Sequence, residues 1–306
     1  MTPQAQSAQP LSSMPPRHRF FSPGRIGAIA GNTLLELVRQ KVFYFLLIFA
    51  LALIGCSFFM GFLRPELQFQ VMKDVSLGAM SVFTWLLAVL ATAMMLPKDI
   101  EDRTLYTILA KPVPRLEYLL GKLLGVLFML AISLGVMAVL FAATLYIKEQ
   151  TTIAAALGEL RQAPPEQVAE VVRNVKAATF TWSLVPGIAI IYFKAALFAS
   201  LTLLISTFAS SWIFTIVISV AVYLIGHLVP IARTYLLETD GSWISKAFLT
   251  LLTLMFPDLQ LFNLTDDIVA GNALPPGLFF QTAGMGCFYL AIYTCLAYLM
   301  FSKKEL

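Results

Sequence analysis

Charge is scarce in this chain. Asp, Glu, Lys and Arg make up 12% of its 306 residues, about half the share usual in soluble domains. Histidine is scarcer, with only His18 and His227. Cysteine occurs three times, at Cys56, Cys287 and Cys295, without metal-ligand spacing. There is no Gly-x-x-x-x-Gly-Lys-Ser/Thr phosphate cradle, no His-Glu-x-x-His pair and no Gly-x-Ser-x-Gly elbow. The chain therefore cannot hydrolyse ATP by itself, and it lacks the familiar hydrolase centres. No metal and no cofactor is expected on it. The N-terminus, MTPQAQSAQPLSSMPPRHRFFSPGR, has no apolar core. Its Pro, Gln and Ser content predicts a disordered tail over 1–23, not a signal peptide.

Apolar residues are abundant. They form 59% of the sequence, and mean hydropathy is +0.81. Six runs reach the roughly 20 residues that a bilayer crossing needs: 42–63, 75–97, 118–147, 184–208, 212–232 and 277–301. The expected fold is an all-α integral membrane protein, with 42–306 as its transmembrane domain. All three cysteines fall in these runs and are expected to pack as small apolar residues.

Charge asymmetry predicts the orientation. With the N-terminus inside and six crossings, the inner segments carry 12 basic and 6 acidic residues, and the outer ones 8 and 11. Basic residues favour the cytoplasmic side. Both termini and the segment 98–122 are then cytoplasmic.

Residues 24–41 place Ile26, Ile29, Leu34, Leu37 and Val38 near helical spacing. They read as an interfacial helix or as an extension of the first span. The outer loops are expected at 64–74, 148–183 and 233–276. In the second, Val168, Val171, Val172 and Val175 predict a small external helix after Pro164-Pro165. In the third, AFLTLLTLMF is too short to cross and fits a re-entrant or interfacial helix.

The stretch PKDIEDRTLYTILAKPVPRLEYLLGK, 97–122, concentrates charge between two apolar runs and includes three prolines. Pro97 suits a first helical turn. Asp99, Glu101 and Asp102 suit a helix N-terminus. Ile100, Leu105, Ile108 and Leu109 give a partly one-sided apolar face, and Lys111-Pro112 stops it. A short amphipathic cytoplasmic helix is expected, able to dock on a soluble partner or simply to serve as a positive loop.

Lys194 is the one charge deep inside a run. A lysine in a membrane costs roughly 2.5–3.5 kcal/mol on insertion scales. It either lines a pathway or is a structural lysine bonded to a carbonyl or reaching an interface. His227 reads as structural. Gly55, Gly61, Gly284 and Gly286 are expected to permit close helix packing.

The order Glu101, Arg103-Thr104-Leu105, Ile108-Leu109, Pro112-Val113-Pro114-Arg115 and Gly121-Lys122 resembles the loop between the second and third spans of type-2 ABC exporter permeases. FPDLQLFNL at 256–264 and FSKKEL at the end are similar to that family too. Arg103 departs from the glycine common at its position. The resemblance implies a permease subunit that dimerises with a second copy and rests on separate nucleotide-binding chains, which would hold ATP and Mg. It makes 98–111 the coupling helix, with Asp99, Glu101, Arg103, Leu105, Ile108 and Leu109 facing the ATPase. It makes 24–41 the elbow helix and the third outer region the external re-entrant segment. The expected location is a bacterial cytoplasmic (inner) membrane, among lipids and without nucleic acid. The rival readings are a permease-like scaffold subunit and an ion-coupled secondary transporter using Lys194. The paired repeats and broken helices usual in the latter are missing.

Overall fold

The computed structural model describes residues 22–59, 65–101, 114–159, 164–209, 211–238, 243, 259–270, 272 and 274–303. Among these residues the fold is all helical. The helices are α1 (Pro23–Val38), α2 (Lys41–Ser57), α3 (Pro65–Glu101), α4 (Arg115–Glu159), α5 (Pro165–Thr179), α6 (Leu184–Phe208), α7 (Trp212–Glu238), α8 (Thr265–Val269) and α9 (Pro276–Lys303), with a 3₁₀ turn at Gln260–Phe262. α3, α4, α6 and α9 carry segments long and apolar enough to cross a membrane, and the bent pair α1–α2 can be counted as a fifth. α2 has 17 residues, which at 1.5 Å per residue give roughly 25 Å, somewhat under the roughly 30 Å of a hydrocarbon core. α7 has 27 residues, of which Trp212–Leu228 form an apolar stretch among those whose side chains are described.

Most of the 24–41 segment forms a separate helix, α1. It turns by 68° into α2, through Arg39 in helical conformation and Gln40 in extended conformation. No proline makes this bend. α1 buries Ile26, Ala30, Thr33 and Leu37, a stripe spaced by four, three and four residues. Leu35 and the membrane-side residues Phe45 and Ile48 stay exposed.

α6 is the central helix. It packs against α3 and α9 and buries 17 of its 25 residues. Small Ala195, Ala196, Ala199 and Ser200 let its neighbours approach. One core joins α2, α3, α4 and α6 around Leu77, Met80, Leu119, Val126 and Leu203. A second joins α3, α6 and α7 around Trp85, Phe198 and Val222. The FPDLQLFNL segment supplies Leu259 and Phe262 to this second core. Phe262 Cε1 would lie 3.3 Å from a Cβ on Gly286, and Ile268 Cδ1 2.4 Å from one on Gly187. The 3₁₀ turn and α8 thus sit on glycines of α9 and α6.

Several boundaries differ from expectation. Residues 65–74 belong to α3, which starts on Pro65 at a position where a missing N–H is harmless. Residues 148–159 continue α4 as helix beyond the apolar run. Pro97 lies inside α3 and does not open a new helix. Residues 98–101 are therefore the last turn of α3, and 102–113, most of the expected coupling helix, lie outside the described residues. So does AFLTLLTLMF. The helix expected after Pro164 is present as α5, with Val175 buried and Val168, Val171 and Val172 half-buried. The three cysteines are unpaired and exposed on the surface of the bundle, not packed inside it. Gly55 and Gly284 face open space. Gly61 lies outside the described residues.

Candidate functional site

The first turns of α4 carry two ridges. Glu117, Gly121 and Gly125 are spaced by four residues and share one helix face. Tyr118 and Lys122 form the ridge beside them. The first ridge meets α1, where Arg25, Ile29 and Thr33 are also spaced by four. Arg25 Nε donates to Glu117 Oε2 at 2.6 Å and Nη2 to Oε1 at 2.8 Å. The Ser22 backbone N–H donates to the same Oε1 at 2.8 Å. Planar two-point pairing of this kind is geometrically specific and strong for its class. Next along the ridge, a Cβ on Gly121 would lie 2.7 Å from Ile29 Cβ. One on Gly125 would lie 2.6 Å from Thr33 Cβ and 2.8 Å from the Ala30 carbonyl oxygen. Only glycine at both positions lets α1 lie this close.

The second ridge meets the end of α3. Asp99 Oδ2 accepts from the Tyr118 hydroxyl and from Lys122 Nζ, the latter at 2.7 Å. Lys122 Nζ also lies 3.7 Å from Glu36 Oε2 on α1, and Lys98 Nζ lies 2.9 Å from Glu36 Oε1. Arg115 Nη1 donates to the carbonyls of Phe301 and Ser302 on α9. Phe301 stacks on the Tyr118 ring with centroids 6.1 Å apart. Glu117 has 0% of its side chain exposed, Lys122 5% and Asp99 9%.

This cluster is a set of ion pairs and hydrogen bonds between helices. It ties α1, α3, α4 and α9 together at one end of the bundle, on both sides of residues 102–113. A buried ion pair adds little stability over apolar packing, but losing one partner leaves a buried charge stranded. Such a network therefore fixes a geometry more than it stabilises a fold.

Asp99 is thus drawn inward to α4 and is not presented on a free helix. Glu101 is the last residue of α3. Arg103, Leu105, Ile108 and Leu109 lie outside the described residues. Arg25, Glu36, Glu117, Tyr118 and Lys122 were not singled out from the sequence as site residues. A usable signal existed: Glu117 and Lys122 are charges at the very start of a long apolar helix, spaced so that each shares a face with a glycine or a tyrosine.

Lys194 lies elsewhere, between α6, α3 and α7. It is 6% exposed. Its Nζ sits 5.6 Å from the Tyr223 ring centroid. Tyr223 stacks on Trp85 at 3.9 Å and lies 4.3 Å from the His227 ring. His227 Nδ1 is 3.0 Å from the Tyr223 carbonyl oxygen. Among the described residues no carboxylate or carbonyl pairs with Lys194, so the carbonyl-bonded form of the structural expectation is not met. A desolvated cation–π contact contributes about 2 kcal/mol, most of the roughly 2.5–3.5 kcal/mol that a membrane lysine costs. Buried polar atoms of Thr84, Trp85, Thr92, Thr202, Ser206 and Ser219, on the same three helices, have no protein partner among the described residues. No group of three or more potential metal ligands occurs among the described residues.

Besides Lys122 and Lys194, the described helices carry a third buried lysine. Lys73, 2% exposed on α3, donates to the Ala178 carbonyl at 2.6 Å and to Thr181 Oγ1 at 3.4 Å. It fastens the end of α5 to the bundle.

A family model described as ABC-2 family transporter protein matches residues 27–306. No curated protein matches the sequence.

Proposed function

Because the chain belongs to the ABC-2 family of transporter proteins, we propose that it is the membrane-spanning permease subunit of an ATP-binding cassette exporter, driven by a separate nucleotide-binding chain. The observation that carries this reading is the ionic cluster around Asp99, Glu117 and Lys122. It joins α3 to α4 at the base of the 102–113 connection, which the family resemblance assigns to the ATPase. A push on that connection reaches both long helices, and Arg25 and Glu36 pass it to α1. Glu101, Arg103, Leu105, Ile108 and Leu109 contact the ATPase in this reading, and Asp99 anchors the segment behind them. ATP and Mg reside on the partner.

In the same reading α2, α3, α4, α6, α7 and α9 are six crossings, with both termini in the cytoplasm of a bacterium and the subunit paired with a second copy in the inner membrane. The charge asymmetry supports this orientation. Lys194, held against the Tyr223 ring, lines the export path.

The test is replacement of Glu101 and Arg103 together. The permease should insert normally while the ATPase dissociates or hydrolyses ATP without transport. Normal assembly with normal transport would overturn the coupling role. Cysteine labelling on a background with Cys56, Cys287 and Cys295 replaced by Ser checks the orientation. A cysteine at Glu170 should react from outside intact cells, and one at Lys111 should not.

A further inference from the structure

A cavity of about 380 Å³ opens where the ends of three helices converge, lined by Gln40, Lys41 and Val42 at the start of α2, Met94 and Lys98 on α3, and Trp212 at the start of α7. The exporter reading makes no use of it. Its lining is divided by chemistry. Val42 and Met94 are apolar, Trp212 is an indole of the kind that settles at membrane interfaces, and Gln40 and two lysines are polar.

Among the described residues the surrounding charges do not cancel. Lys98 and Lys122 are matched by Glu36 and Asp99. Lys41 is exposed and forms no ion pair with a described residue, and Arg39 beside it is exposed too. The first turns of α2 and α7 hold no acidic residue. The excess charge of the described side chains at this cavity is positive.

Its position selects among anions. The cavity lies at the level where α1 turns by 68° into α2, the level at which an interfacial helix meets a crossing one. From it, exposed apolar residues lead away along both neighbours: Val42 and Phe45 on α2, Ile213 and Phe214 on α7. A small soluble anion would leave that apolar surface unused. We propose that the cavity is a binding site for an anionic phospholipid of the leaflet that carries α1, the inner leaflet in the orientation given above. The phosphodiester sits at Lys41 and Gln40, and the acyl chains run between α2 and α7 past Trp212. The inference rests on the membrane placement of α2 and α7, not on ATP coupling.

The test uses the full chain in nanodiscs, with Trp85, Trp182 and Trp243 changed to Phe so that Trp212 alone reports. Phosphatidylglycerol and phosphatidylcholine brominated on the upper acyl chain are titrated in turn. The anionic lipid should reach half-maximal quenching at a mole fraction about fivefold lower, the preference one lysine near a membrane surface provides. Lys41→Gln should remove the difference and Lys41→Arg keep it. Equal quenching by the two lipids, quenching by neither, or a preference unchanged in Lys41→Gln would overturn the site and leave the exporter reading untouched. Should the tryptophan variant fail to fold, the wild-type chain decides the matter. Mass spectrometry after detergent extraction from a mixed bilayer should find phosphatidylglycerol retained over phosphatidylcholine, and equal retention would overturn the site.

Discussion

Arg25 and Glu117, 92 positions apart in sequence, meet through two hydrogen bonds of 2.6 and 2.8 Å. The contact fixes the register of α1 against α4, since Ile29 faces Gly121 and Thr33 faces Gly125 in the same order. A single sliding step of α1 would break the ion pair and drive a side chain into a glycine gap together.

The asymmetry of the pair leads to the first prediction. Arg25 is partly exposed and Glu117 is not. Arg25→Ala strands a buried carboxylate, whereas Glu117→Gln keeps an acceptor for Ser22 and leaves Arg25 free to reach water. Arg25→Ala should therefore lower the melting temperature of the detergent-solubilised protein more than Glu117→Gln. The reverse order would show that Glu117 is not buried as described.

Gly125→Val should separate α1 from α4. The added Cβ falls within 2.8 Å of both Thr33 Cβ and the Ala30 carbonyl, and one of these is backbone that cannot rotate away. Overpacking of this kind costs about 1–3 kcal/mol. Crosslinking between cysteines placed on α1 and α4 should fall sharply. Gly55→Val, at a glycine facing open space, is the matched control and should leave that crosslinking unchanged.

Lys122→Met removes the cation that Asp99 shares with Tyr118. Loss of one partner from a buried pair costs about 3–5 kcal/mol. The double change Lys122→Met, Asp99→Asn should recover much of that loss, measured as melting temperature or folded yield. A double variant no better than the single one would mean that the two residues act independently.

Lys73→Met should loosen the external helix and leave the bundle intact. Lys73 donates to the last turn of α5, and a hydrogen bond to a charged group contributes about 1.5–3 kcal/mol. Hydrogen exchange over 165–179 should accelerate about tenfold or more, while α3 and α6 keep their protection. Uniform acceleration across all three would indicate global destabilisation instead.

Lys194→Met separates two roles. A pathway lysine should lose transport with folded yield and ATPase association preserved, because the variant removes a costly charge. Full transport at normal yield would remove Lys194 from the export path.

The all-helical membrane character was legible in the sequence, because long apolar runs are a property of the chain alone. Helix ends were not. Residues 148–159 continue α4 although they leave the apolar run, since helix propagation needs backbone bonds and not hydropathy. Pro97 was read as a helix start, and α3 runs through it. The ionic cluster was half visible. Asp99 was found, but its direction was not, because inward or outward depends on Tyr118 and Lys122 arriving from another helix. Glycine was least legible. Gly121 and Gly125 make the close contact and Gly55 and Gly284 do not, and nothing within one helix says which face a neighbour will cover. Lys194 stood out by its cost, but the Tyr223 ring that offsets it came from α7.

α4 runs without a proline from Arg115 to Glu159, 45 residues, a rod of roughly 67 Å. Its lower end is gripped by Arg25, Asp99 and Phe301, and its upper part lies against α5. With no hinge to absorb rotation, a tilt of about 5° at the base displaces the far tip by about 6 Å, over that length. A small displacement at the Arg115 end of such a rod would become a larger one at the Glu159 end.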